Sequence, residues 1–178
     1  MSILRPWLAL LAVTLACASR GATGADTSAI ATATRRVREH GNAGLSIDDV
    51  KRTRDWFTPE LYTLLIAGMS HPTDLGYLDF DPFTDAQDDV GPLRFEDARQ
   101  SGDTTLVRFS RENYEKTRDS ITLAMRRVDS TWRIANFLYS KHMACHRDLA
   151  VAIAGYEKAI AEHRLVDDST CRSSPVSR

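Results

Sequence analysis

The hydrophobic residues of this chain change period once, and that change limits the folds open to it. From Ser46 to Met69 they recur at helical spacing, whereas from Leu93 to Leu138 they alternate with polar neighbours in four runs. Leu93 and Phe95 begin the alternation. Thr105, Val107 and Phe109 repeat it, Ile121, Leu123 and Met125 make the third run, and Trp132, Ile134, Asn136 and Leu138 the fourth. A period of two turns one face of a strand to a core and the other to water. Ser101, Gly102 and Asp103, and then Val128 to Thr131, are turn clusters between the runs, so an antiparallel meander is expected. Helices followed by antiparallel strands define an α+β chain.

The helical half carries its own start and stop signals. Ser46 with Asp49 reads as a short-armed capping box, and Ile47, Val50 and Phe57 follow at roughly helical spacing. Thr58 caps a second helix, Pro59 fills its first turn where a missing N–H costs nothing, and Glu60 suits the dipole. Leu61, Leu64, Leu65 and Met69 form its apolar face before His71 and Pro72 end it. Residues 26–44 give a weaker signal, with Ile30 and Val37 one heptad apart beside Arg35, Arg36 and Arg38, and read as a linker or peripheral helix. A single domain is expected over residues 45–171, closing with an amphipathic helix from Ala144 to about Val166 that carries Leu149, Ile153, Tyr156 and Ile160. Residues 172–178 read as a tail.

Residues 1–25 read as a secretory signal. Arg5 precedes an apolar run from Trp7 to Ala16, about ten residues and too short to span a bilayer. Thr14, Leu15, Ala16 and Cys17 approach a bacterial lipobox, with Thr14 where Leu or Val is usual; Ala16 to Ala18 and Thr23 to Ala25 are small-residue sites for ordinary cleavage. Two outcomes stay open, lipidation at Cys17 or release as a free protein, and both place the chain in the periplasm. That compartment favours a disulfide between Cys145 and Cys171, closing a loop of about 25 residues for roughly 3–4 kcal/mol. The alternative is one buried thiol and one in the tail. Lys plus Arg number 23 against 24 for Asp plus Glu, a near balance that argues against nucleic acid or an anionic membrane as partner. Membrane contact is expected only through the lipid anchor.

The densest chemistry lies between Tyr77 and Asp89, where Asp79, Asp81, Asp85, Asp88, Asp89 and Gln87 surround Phe80, Pro82 and Phe83. A calcium loop counted from Asp79 would need glycine and glutamate where Thr84 and Val90 stand, so no metal is expected. Asp81 followed by Pro82 reads instead as an N-cap and first helical residue, making Phe83 to Gln87 a short helical turn. His142 and His146 flank Cys145 at a zinc-like spacing but lack an acidic third ligand; His40, His71 and His163 are isolated. No Gly-x-Ser-x-Gly elbow occurs, and neither catalytic residue nor cofactor is expected. Arg111 to Arg118, with Tyr114 among alternating charges, reads as a polar connection between strands of the kind that carries recognition.

The order of elements, the segment Leu78 to Asp88 and the closing run Trp132 to Asn136 resemble a family of secreted bacterial domains of unknown function with a nuclear transport factor 2-like fold. The resemblance spans about residues 45 to 140. It implies a curved antiparallel sheet wrapped around N-terminal helices as a cone, often with an open pocket; the C-terminal helix departs from the simplest form. Some lipoproteins of this kind resemble immunity proteins, which protect cells from toxic effectors acting in the periplasm. Export without a catalytic signature, together with this resemblance, points to a non-enzymatic protein that binds an effector, and the acidic mouth (Asp79, Asp81, Asp85, Gln87, Asp88, Asp89) and the loop (Arg111, Tyr114, Arg118) are the surface expected to carry it. A small-ligand cone protein is the alternative, and an Asp-dependent enzyme a third.

Overall fold

The structure, a computed structural model, describes residues 22–41, 44–70, 78, 80–85, 91–112, 118–140 and 148–162. Four antiparallel strands follow one another as neighbours: β2 (Arg94–Ser101), β3 (Thr104–Glu112), β4 (Arg118–Val128) and β5 (Thr131–Tyr139). A two-residue strand, β1 (Ala22–Thr23), pairs in parallel with β2 at the sheet edge. The expected meander and the α+β class are thus present. The β4–β5 turn is two residues long, with Asp129 and Ser130 both at positive φ (49° and 65°), the geometry that matches strand twist in a hairpin.

Among the described residues four α-helices cover the sheet: α1 (Thr27–His40), α2 (Ile47–Arg52), α3 (Pro59–Met69) and α4 (Leu149–Ala161), with a 3-10 turn at Arg54–Trp56 between α2 and α3. The Ser46 box is complete, its hydroxyl accepting from Asp49 N while Asp49 accepts from Ser46 N. Thr58 caps α3 with Pro59 at its start, and Thr58 N donates to Ile134 O at 2.9 Å, which sets the helix against β5. Asp148 caps α4 through Val151 N and accepts from Asn136 Nδ2 at 2.7 Å, so β5 fixes where that helix begins. The described helix therefore starts at Leu149; residues 141–147, and with them His142, Cys145 and His146, lie outside the described residues. A Cβ at Gly68 would lie 3.3 Å from the side chains of Ile153 and Leu78, so glycine lets α3 approach α4 closely.

The core comprises Val50, Leu61 and Leu65 from α2 and α3, Phe57 from the link before α3, Val107, Phe109, Leu123, Met125, Ile134 and Phe137 from the sheet, and Leu149 and Ile153 from α4. Ala29 and Ala33, both fully buried, bring α1 into the same cluster against β3, β4 and β5. Small side chains let the helix axis approach the sheet.

Two bulges correct the alternation. On β5, Ile134 pairs with Met125 but Asn136 with Ala124, so Ala135 is an extra residue and every later side chain changes face. Phe137 and Tyr139 turn inward instead of Asn136 and Leu138, which are half-buried. On β2 an extra residue, Glu96, falls between Phe95 and Asp97; Phe95 pairs with buried Phe109 on the core face, as expected, yet is 45% exposed at the start of the strand.

Candidate functional site

One end of the sheet gathers the residues with chemistry. The start of β2, the end of β3, the start of β4 and the end of β5 all lie there, since Arg94 pairs with Ser110, Glu112 with Arg118, and Ile121 with Tyr139. The α1 C-terminus reaches the same end. So does the 81–85 turn, whose Pro82 O accepts from the Tyr139 hydroxyl at 3.1 Å.

The turn is organised by Asp81. Its Oδ1 accepts from Phe83 N at 3.0 Å, its Oδ2 accepts from Thr84 Oγ1 at 3.0 Å, and its carbonyl accepts from Thr84 N and Asp85 N at 3.0 and 2.7 Å. This is the capping role read from Asp81 and Pro82, and Asp85 closes the turn at φ 49°, a left-handed position that Asp tolerates. The remaining contact on Oδ2 is His40 Nε2 at 2.7 Å, with the two side chains 5% and 7% exposed. His40 also stacks on Phe83, ring centroids 4.3 Å apart, and Phe83 meets Phe137 edge-on at 5.0 Å. A nearly buried carboxylate enclosed by three donors and aromatic rings is a fastening between α1 and the turn. His40 is isolated in the sequence; its partner stands 41 positions away, and only the three-dimensional fold brings them together.

On the other side of the α1 C-terminus the surface opens. A cleft of about 290 Å³ lies between α1 and the first residues of β2, lined by Val37, Arg38, Pro92, Leu93, Phe95 and Phe109. Phe95 meets Phe109 edge-on with centroids 6.1 Å apart and keeps much of its ring in water. A second cleft of about 220 Å³ adjoins it at Pro92 and is polar, lined by Arg94, Ser110, Arg111, Glu112 and Arg118. Arg118 reaches Glu96 at 3.2 Å while three-quarters exposed, a pair worth little in water. No sequence signal marks these clefts: Leu93 and Phe95 read as core positions and Val37 as part of a linker or peripheral helix.

Of the expected site residues, Asp81 is buried in the fastening, Asp85 is half-buried at the end of the turn, Arg111 is 6% exposed at the end of β3, and Arg118 is exposed at the start of β4. Asp79, Gln87, Asp88, Asp89, Tyr114, Cys17, Cys145 and Cys171 lie outside the described residues. Among the described residues no group of three or more His, Cys, Asp or Glu side chains is arranged to hold a metal ion. No described helix is long and apolar enough to cross a membrane.

The fold and site thus define an α+β domain with a paired apolar and basic cleft at one end of its sheet. Compared with known proteins, the chain matches no family model, no curated protein and no solved structure.

Proposed function

We propose that this is a periplasmic, non-enzymatic binding protein, lipid-anchored through Cys17 or free, built on a cone of the nuclear transport factor 2 kind, and that it neutralises a toxic effector as an immunity protein. The observation that carries the binding reading is the open sheet end, where exposed Phe95 stands beside Arg38 in one cleft and exposed Arg94 and Arg118 line a second at the same end. A part-exposed aromatic next to arginines is the composition of an interface anchor. The carboxylate–imidazole pair at that end points away from catalysis, because Asp81 spends its oxygens on Phe83, Thr84 and His40. Within the acidic mouth, Asp85 and the segment beyond it would meet basic groups of the effector and raise encounter rate more than affinity.

The test is site-specific photocrosslinking in cells that secrete the full chain. A crosslinker at Phe95 or Arg118 is expected to give one discrete protein adduct, while one at Asp103 or Ser130, at the opposite sheet end, gives none. The purified domain is then expected to suppress the captured protein's hydrolytic or membrane-damaging activity. Adducts equal at both ends, or an adduct whose activity the domain leaves unchanged, would overturn the proposal.

A further inference from the structure

We infer that the exported chain is cut upstream of β1, so that Ala22 to Ala25 stay in the mature fold and the small-residue site Thr23 to Ala25 is a structural joint. The inference rests on the export part of the reading above and does not need an effector. Two small-residue sites compete in the sequence, one ending at Ala18 beside Cys17 and one ending at Ala25, and β1 begins between them. Ala22 pairs with Ala98 and Thr23 with Arg99, which covers the outer edge of β2 where fully buried Ala98 faces the core. An uncovered strand edge presents unpaired N–H and C=O groups to other chains. Gly24 then turns the chain at φ 75°, and a Cβ there would meet nothing within 4 Å, so backbone conformation alone calls for glycine. Ala25 packs part-buried against the core, and Asp26 caps α1 at Ser28 N. Residues 22–25 thus pass the chain from the sheet edge into the helix.

Cleavage after Ala25 would undo this joint in two ways. It would remove β1, Gly24 and the Ala25 contact, and it would turn Asp26 N into an ammonium on the cap of α1. The unpaired N–H groups of the first helical turn already place partial positive charge there, and Arg127 Nη2 stands 3.4 Å from Asp26 Oδ2. A further positive charge competes for the carboxylate that caps Ser28, whose hydroxyl in turn accepts from Trp132 Nε1. Hydrolysis upstream, in which water cleaves the Ala16–Cys17 or the Ala18–Ser19 peptide bond, leaves the joint whole. Either cut sets the new terminus three or more residues before Ala22. The first frees Cys17 as the anchored terminus, and the second releases an unanchored protein.

The experiment expresses the full chain in a Gram-negative bacterium and reads the intact mass of the mature protein in the periplasmic and membrane fractions. A terminus at Cys17 with the added mass of acyl groups, or a terminus at Ser19, is expected; the former assigns the anchored form and the latter the free form. A terminus at Asp26 overturns the inference and leaves export standing. A chain that keeps Met1 overturns both.

Purified chains beginning at Ser19 and at Asp26 test the joint itself. The shorter chain is expected to melt about 4 °C or more below the longer one and to exchange the amides of Ala98, Arg99 and the first turn of α1 faster. Acetylating the terminus of the shorter chain removes its ammonium and is expected to recover part of the difference, the rest belonging to β1. In the longer chain Gly24→Val strains only the backbone of the joint and is expected to lower melting in the same direction, a result that stands even where the shorter chain does not fold. Equal melting and exchange in the two chains, or an unchanged Gly24→Val variant, would remove the ground for the upstream cut and overturn the inference.

Discussion

The two ends of α1 are held to the sheet in opposite ways. At its N-terminus, Asp26 caps Ser28 N at 2.8 Å, the Ser28 hydroxyl accepts from Trp132 Nε1 at 2.8 Å, and Arg127 reaches Asp26 at 3.4 Å while lying over the Trp132 ring. Those contacts are mostly solvent-exposed and sit beside a tight hairpin. Toward its C-terminus Arg36 reaches Asp55 at 3.3 Å over the Trp56 ring, and a buried pair, His40 with Asp81, joins the helix to a turn 41 residues on, under the Phe83 and Phe137 rings. An exposed network can lose one member and let water replace it; a buried pair cannot. The open end therefore rests on few, expensive contacts, and the clefts lie immediately beside them.

The largest expected effects lie at that buried fastening. Phe83→Ala removes a fully buried ring between His40 and Phe137 and is expected to cost about 3–5 kcal/mol by thermal unfolding. Asp81→Ala leaves Phe83 N, Thr84 Oγ1 and His40 Nε2 without their acceptor and is expected to cost about 3 kcal/mol. Losses under about 1 kcal/mol, the level of ordinary surface substitutions, would break the comparison and recast Asp81 as a surface cap.

At the opposite end, Trp132→Phe keeps an aromatic ring but removes the second ring of the indole together with its Nε1 donor to Ser28. About 1 kcal/mol is expected. Arg127→Ala, which removes an exposed ion pair and a ring contact, should cost a few tenths more or less than zero. Hydrogen exchange sharpens the contrast: Trp132→Phe should speed exchange in the first turn of α1 alone, whereas Asp81→Ala should do so in the last turn and in the amides of the 81–85 turn. A uniform rise along α1 in both variants would mean that the helix docks as one unit and that its ends are not held separately.

The same contrast explains what could be read from the sequence. The Ser46 box, the Thr58 cap with Pro59, and the Asp81 turn were legible because each is decided within four residues. The four strands were legible because alternation is a local pattern. The face swap after Ala135 was not, since an inserted residue leaves period two intact on either side and only pairing with β4 shows which side is inward. α1 looked peripheral because its inward residues are Ala29 and Ala33, whose small side chains carry little hydropathic contrast although they are fully buried. The His40 contact and the clefts depend on elements distant in sequence, and nothing local encodes them.

The smallest expected effect is electrostatic and belongs to the exposed end. Hydrogen bonds from the Ser28 hydroxyl and amide hold the Asp26 carboxyl below its ordinary value of 3.8, against a weaker opposing desolvation. Asp49 is lowered in the same way, chiefly by the Ser46 hydroxyl, and Glu60 by hydrogen bonding at the start of α3. A carboxyl with a depressed folded value binds fewer protons folded than unfolded, so its contribution is complete above the ordinary carboxylate range and is lost as pH falls through the folded value. Urea midpoints should therefore hold steady from neutral pH to just above 4.5, the ordinary value for Glu60, and decline below 3.8 as Asp26 and Asp49 protonate. Asp26→Asn keeps a capping oxygen but cannot titrate, so it should lower the neutral plateau slightly and flatten the acid limb. An acid limb of unchanged slope in that variant would show that Asp26 does not report the N-terminal end of α1, and would move the acid sensitivity to the caps of α2 and α3.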